Sequence, residues 1–328
     1  MSEQTDIATY PKEEAIVREI KTGNFQQVEK LAEEWIQQLP IEKENSEEKK
    51  LAEEAFYYAR FFLNRSERLS MIHRGRERAN LFREYLRQLR ELREENNFIP
   101  HSPFWQAMKL YIYQNIAESL SSVFSGQQAY NLDTEEQLIF AESLIEIGSL
   151  KQALDALAFF IKMHPRNARA RLLYAYVYFL LGNEKEFLKQ FREALFLNPD
   201  VLDKNTHRIP EGTLRKLYDF VCEQTENPRV RYRSYALLLE VQKIYSDHRI
   251  LSKNEALKVQ TEFFRLYDEY KKQPEREDEL LPRLLHFLIW LILYFRGTKN
   301  FDKAEEFRLR MVDLDMHTWE TFYKNHLE

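Results

Sequence analysis

The chain is poor in the residues that bend, crosslink or interrupt a backbone: 328 residues include 7 glycines, 10 prolines and one cysteine. Average usage would be ~7 % glycine and ~5 % proline, so tight turns are scarce and long helices with short connections are favoured. The nearest approach to a glycine signal is Gly148 and Gly182, far too widely spaced for a phosphate-cradling loop. The single cysteine, Cys222, excludes an internal disulfide and a cysteine-based zinc site, and in "LYDFVCEQT" it reads as a packed thiol on a helix. "MSEQTDIATYPKEEA" has no apolar core of the kind a secretory signal needs, so the expected compartment is the cytoplasm. The longest apolar run, Leu284 to Phe295, covers 12 residues. A membrane span needs ~20, so this run reads as a buried helix.

Charge of one sign is also lacking. With 48 basic and 53 acidic residues the net charge is −5, and no global field draws the chain to nucleic acid or anionic lipid. The eight histidines, His73, His101, His164 and His286 among them, form no His-Glu-x-x-His pattern, and no Gly-x-Ser-x-Gly elbow occurs. The sequence therefore nominates no catalytic, cofactor-binding or metal-ligating residue. What is abundant is core and exterior: 23 Phe and 18 Tyr supply large side chains to bury, and 31 % charged residues supply a solvated surface.

One unit is written at least twice. "AESLIEIGSLKQALDALAFFIKMHP" ends at Pro165 and "AYVYFLLGNEKEFLKQFREALFLNP" at Pro199; Gly148 and Gly182 are 34 residues apart, as are the two prolines. Aligning 134–167 with 168–201 pairs Leu138 with Leu172, Ala141 with Ala175, Leu154 with Leu188, and Lys151 with Lys185. Apolar residues recur at three and four residue steps, which puts one stripe on each of two helices. Glycine ends the first helix because a left-handed residue there costs it nothing in sterics, and proline ends the second. A two-helix hairpin cannot bury both faces alone, so it stacks on its neighbours.

These residues resemble the tetratricopeptide repeat, a helical hairpin of 34 residues. The family's small residue where the helices cross is matched by Ala141 and Ala175, its next large residue by Leu144 and Tyr178, and its closing proline by Pro165 and Pro199. Departures are Gln137 and Arg171 at the early tryptophan, Phe187 opposite Ala153, and Phe160 opposite Ala194. Gly23 and Pro40 bracket a divergent third copy. "LIWLILYFRGTKNFDKAEEF" suggests a fourth, in which Asn300, Phe301 and Ala304 echo Asn24, Phe25 and Val28 across a longer turn. The resemblance implies an all-α, right-handed helical-hairpin solenoid with non-consensus helical flanks. Its segments are a divergent hairpin (1–45), long helices including an arginine-rich one (46–131), two repeats (132–201) and C-terminal helices ending in a divergent hairpin (202–328).

Periodicity and capping signals place helices near 12–22, 25–39, 46–62, 66–95, 103–124, 134–147, 150–163, 168–181, 184–197, 211–225, 229–246, 253–271, 278–296, 301–312 and 316–326. Capping-box spacing occurs at Asn45/Glu48, Asp133/Glu136 and Ser252/Glu255, and a cap residue precedes a first-turn proline at Ser102-Pro103 and Asn227-Pro228.

Two surfaces stand out. Residues 60–93 hold ten arginines and no lysine, and Arg76, Arg83, Arg87 and Arg90 fall within ~60° on a helical wheel opposite Phe82, Tyr85, Leu86 and Leu89. Such a stripe is either a solvated face, with Glu84 and Glu91 able to pair with Arg87, or a site for phosphate or an acidic protein. In the family the first helix of each hairpin lines a concave groove; the matching residues are Leu138, Glu142, Arg169, Leu172, Tyr176 and Phe179, with Ile145 beside them. They lack the lysine and asparagine of the family's clamp for a carboxy-terminal peptide, and so favour a more apolar helix or extended peptide. The expected function is a non-enzymatic adaptor that binds another protein. The alternative is an RNA-binding or nucleoprotein-associated helical repeat using the arginine-rich helix 66–95. The oligomeric state is open.

Overall fold

The computed structural model describes residues 12–40, 46–73, 75–124, 133–203, 205–245 and 249–328. Among them the secondary structure is all helical, with sixteen α-helices and no strand. The chain divides into two compact units, Met1–Leu157 and Ala158–Glu328.

Unit 1 contains α1 (Glu13–Thr22), α2 (Phe25–Gln38), α3 (Glu47–Leu63), α4 (Ser66–Met71), α5 (Arg76–Glu95), α6 (Pro103–Phe124) and α7 (Thr134–Glu146); α8 (Leu150–Met163) begins in it. Consecutive helices pack as hairpins, α1 on α2, α2 on α3, α5 on α6 and α6 on α7, and α1 also lies on α6. The core is aromatic, with Phe25 stacked on Phe62 at 4.3 Å and Tyr111 edge-on to both at 5.2 and 5.5 Å. Buried charge ties three parts of the unit together. Glu54 on α3 is fully buried and accepts hydrogen bonds from Arg93 of α5 and from Tyr58 (2.5 Å), while Arg93 also reaches the carbonyls of Ile99 (2.5 Å) and Pro100 (3.2 Å). Burial raises the Glu54 carboxyl above its ordinary range despite those donors.

Unit 2 contains α9 (Ala168–Leu180), α10 (Glu184–Leu197), α11 (Thr213–Gln224), α12 (Pro228–Val241), α13 (Lys253–Lys272), α14 (Glu277–Gly297), α15 (Phe301–Leu314) and α16 (Met316–His326). α14 is its axis. It packs on α12, α13 and α15, and every residue from Leu284 to Ile292 is buried. The segment Pro274–Gly297 is long and apolar enough to cross a membrane by length and composition, and 67 % of its apolar window is buried within the fold.

One turn geometry recurs throughout. After six helices a residue with φ between +50° and +78° donates to the carbonyl three residues back, and its successor donates to the carbonyl five back: Gly23, Asn97, Gly148, Gly182, Lys243 and Lys299 occupy this left-handed position. In α1–α2, α9–α10 and α14–α15 the very next residue (Asn24, Asn183, Asn300) caps the following helix through its side chain. The connection is two residues long in α1–α2 and three in the other two.

The longer turn expected after α14 is one residue longer than that of α1–α2 and equal to that of α9–α10, with the same left-handed geometry. Gly297 ends the helix, and Lys299, not glycine, takes the left-handed residue, so the fourth hairpin turns as the others do. The helix expected over 66–95 is two: α4 stops at Met71, and α5 starts after Gly75, whose φ of +85° is not helical. The helix expected over 229–246 ends at Val241, ahead of the turn at Lys243. Both expected caps before proline form, Ser102 accepting from Trp105 N–H and Asn227 from Arg229 N–H. The capping boxes at Asp133/Glu136 and Ser252/Glu255 also form. Asn45 lies outside the described residues; Ser46 caps α3.

Candidate binding surfaces

The repeat positions first singled out divide between the two units and between core and surface. In unit 1, Leu138 is 3 % exposed and belongs to the core, while Glu142 beside it is half-buried. In unit 2, Leu172 is 1 % exposed, packed among Phe187, Phe191 and Leu195. Leu138 and Leu172 are therefore corrected from groove-lining to core residues, because each lies on the apolar, buried side of its helix. Ile145 is buried as well. Arg169 is half-buried. Ala141 and Ala175 are equally buried, at 1 % and 0 %, as equivalent crossing residues should be.

Tyr176 and Phe179 remain at the surface of unit 2. The Tyr176 ring stacks near Phe179 at 6.2 Å and receives the Arg208 guanidinium at 5.1 Å on its face, which leaves it half-buried. Phe179, Leu180 and Leu181 are 40 %, 41 % and 44 % exposed and form a ridge at the C-terminal end of α9. Beside the ridge is a notch of about 420 Å³ whose walls include Phe187, Leu188, Leu214 and Ile244, together with Glu184 and Glu211.

Arg76, Arg83, Arg87 and Arg90 all lie exposed on α5, opposite the buried Phe82, Tyr85, Leu86 and Leu89. Arg87 pairs with Glu91 at 2.7 Å and Arg76 with Glu136 at 3.1 Å, while Arg83 reaches Asn80 at 3.3 Å. Glu84 turns instead to Gln88 and Arg68. Other arginines of this stretch hold the fold: Arg78 caps the carbonyls of Leu69 and Ile72, and Arg65 lies on the Phe61 ring at 3.8 Å.

One cleft of unit 2 was not legible in the sequence. A cleft of about 900 Å³ is bounded by the turn before α9, the end of α10 with the 3₁₀ turn Pro199–Leu202, and faces of α12, α13 and α14. Seven cationic side chains line it against four carboxylates, in a chain whose net charge is −5. Three of the cations are held by carboxylates: Arg233 by Asp200 (3.1 Å) and Glu279 (3.2 Å), Arg249 by Glu193 (2.5 Å) and Glu255 (2.6 Å), Arg265 by Glu262 (2.6 Å) and Glu269 (3.3 Å). Among the described residues Arg166, Arg171, Lys258 and Arg283 have no such partner. Arg171 donates to Gln190 (2.8 Å), and Arg283 donates to the carbonyls of Phe196 (2.7 Å) and Leu195 (3.4 Å) while lying over the Phe287 ring. Burial, with Arg233 nearby, pushes the Arg283 guanidinium down to about 10.

Behind Arg283 is a buried polar cluster. Its Nη1 is 3.4 Å from His286 Nδ1, and His286 Nε2 stands 3.9 Å from Glu240, which is gripped by both arms of Arg192 at 2.8 and 2.7 Å. Burial alone would raise the Glu240 carboxyl; His286 and the Arg192 fork outweigh it and hold it below the ordinary range. Burial also holds His286 below its ordinary value. Cys222 is half-buried on α11. Among the described residues no three or more His, Cys, Asp or Glu come together as a metal site.

No curated protein and no solved structure matches the chain. Residues 140–201 match the family model of the tetratricopeptide repeat. The buried crossing alanines and the left-handed glycine turns are the features on which this similarity to a divergent tetratricopeptide repeat rests.

Proposed function

We propose that the protein is a non-enzymatic scaffold that binds another protein, and that the Phe179 ridge is one of its contact surfaces. The observation that carries this is the exposure of three consecutive large apolar side chains, Phe179, Leu180 and Leu181, within a repeat whose crossing residues are buried. Scattered exposed hydrophobes are ordinary, but a contiguous set beside a notch marks an interaction surface. The guest that fits is an apolar helix or extended segment, inserting a side chain between Phe187 and Leu188 on one side and Leu214 and Ile244 on the other. Tyr176 braces the ridge by stacking on Phe179.

The test is crosslinking capture from extracts of the native host, comparing the wild-type chain with a Tyr176→Ala/Phe179→Ala variant. Partner recovery should fall while the helical circular-dichroism signal is unchanged. A folded double variant that captures the same partners at the same yield rules the ridge out.

A further inference from the structure

We propose that the cleft of unit 2 is a second binding site, and that its ligand is an acidic internal segment of a partner protein, bound extended with carboxylates on the cations and apolar side chains on the wall between them. Three observations support this independently of the Phe179 ridge. The first is imbalance: among the described residues, four of the seven cations, Arg166, Arg171, Lys258 and Arg283, have no carboxylate within ion-pair distance. The second is incompleteness. Arg249 is gripped by two glutamates, yet its Nη1 is buried without a hydrogen-bond partner among the described residues. Arg283 is held by backbone carbonyls beside the charge of Arg233, where an added anion relieves the repulsion. Guanidinium forks bind a carboxylate in two-point fashion and keep their charge at any physiological pH.

The third observation discriminates between anions. The same walls hold Glu193, Asp200, Glu255 and Glu262, and apolar surface from Leu257, which is 63 % exposed, together with the half-buried Leu197. A nucleic acid backbone carries a charge at every step and would meet those carboxylates head on. The aromatic rings here offer it no stacking platform, since Phe196 and Phe287 lie beneath the guanidinia of Arg249 and Arg283 at 4.0 and 4.3 Å. A peptide in which acidic and apolar residues are interspersed meets cations and leucines in turn, and presents no charge where the cleft is already acidic.

The probe is a fluorescein-labelled peptide of interspersed glutamate, leucine and serine, titrated with the full chain by fluorescence anisotropy. Controls are the same peptide with glutamine for glutamate and a labelled oligouridylate. The glutamate peptide should bind more tightly than the glutamine one, and added sodium chloride should weaken it. An Arg166→Glu/Lys258→Glu variant alters only exposed side chains and so keeps the fold; it should lose about tenfold in affinity. Arg83→Glu/Arg90→Glu on α5 and Phe179→Ala should leave the affinity as it was, which separates this site from the stripe and from the ridge. Equal binding of the glutamate and glutamine peptides, unchanged affinity of the Arg166/Lys258 variant, or tighter binding of the oligouridylate would each overturn the proposal.

Discussion

Each unit buries one carboxylate against one arginine, and the two carboxylates are driven in opposite directions. Glu54 in unit 1 has Arg93 on one oxygen, with the same arginine shared among Tyr58, Ile99 and Pro100; desolvation wins and its acidity falls. Glu240 in unit 2 has Arg192 on both oxygens and His286 alongside; the donors win and its acidity rises. Burial is near complete in both, at 0 % and 3 % exposed. The difference teaches that the donors gathered round a buried carboxylate, at Glu240 His286 together with the undivided Arg192 fork, decide its state more than depth does.

The largest expected effect tests that contrast directly. Glu240→Gln strands a buried guanidinium and should cost about 3 to 5 kcal/mol. Glu54→Gln approximates the neutral form toward which that group already leans and leaves Arg93 its carbonyls, so about 1 to 2 kcal/mol is expected. Urea unfolding followed by hydrogen exchange in peptides of each unit would measure both, and equal costs would erase the distinction.

Acid sharpens the comparison next. His286 and Glu240 both bind protons less readily folded than unfolded, so unit 2 loses stability as pH falls through the unfolded values of 6.5 and 4.5. Glu54 binds its proton more readily folded than unfolded, so its contribution to unit 1 grows as pH falls toward 4.5. The divergence should be on the order of 1 to 3 kcal/mol. It is read as faster amide exchange in α12 and α14 than in α3 and α5 at pH 5 relative to pH 7, after correction for the intrinsic rate; uniform loss of protection would contradict it.

The smallest effects concern the turns. Gly148→Ala and Gly182→Ala place a Cβ in open space and should cost about 1 kcal/mol from the left-handed backbone alone. Gly23→Ala should cost more, because its Cβ would lie 2.7 Å from the Tyr111 ring. Lys299→Gly should stabilise unit 2 by a fraction of about 1 kcal/mol. Thermal melts of the four variants check the order.

How far these properties could be read beforehand depends on where the signal lies. Hairpins, caps and most helix ends are local, so periodicity and the residues at Asp133, Ser252 and Pro228 located them to within a residue or two. Gly75 was visible yet passed over, since arginine-rich periodicity continued on both sides of it. Lys299 and Lys243 gave no warning because left-handed turns announce themselves only when occupied by glycine. The basic stripe draws its four arginines from one helix, so a wheel alone could place them on one side of α5. The cleft draws Arg166, Arg233, Lys258 and Arg283 from four separate places in the chain, and no spacing rule joins residues that only packing brings together. Burial at Leu138 and Leu172 was equally non-local, since a wheel shows which side is apolar but not what covers it.

α14 has a consequence for how the protein is made. Its apolar stretch leaves the ribosome before α15 exists to cover it, and only α12 and α13 are there to shield its other flanks. For that interval the nascent polypeptide displays a segment greasy enough to attract chaperones, insertion machinery or another unfinished copy. Synthesis rate across residues 298–314 therefore sets how long the hazard lasts.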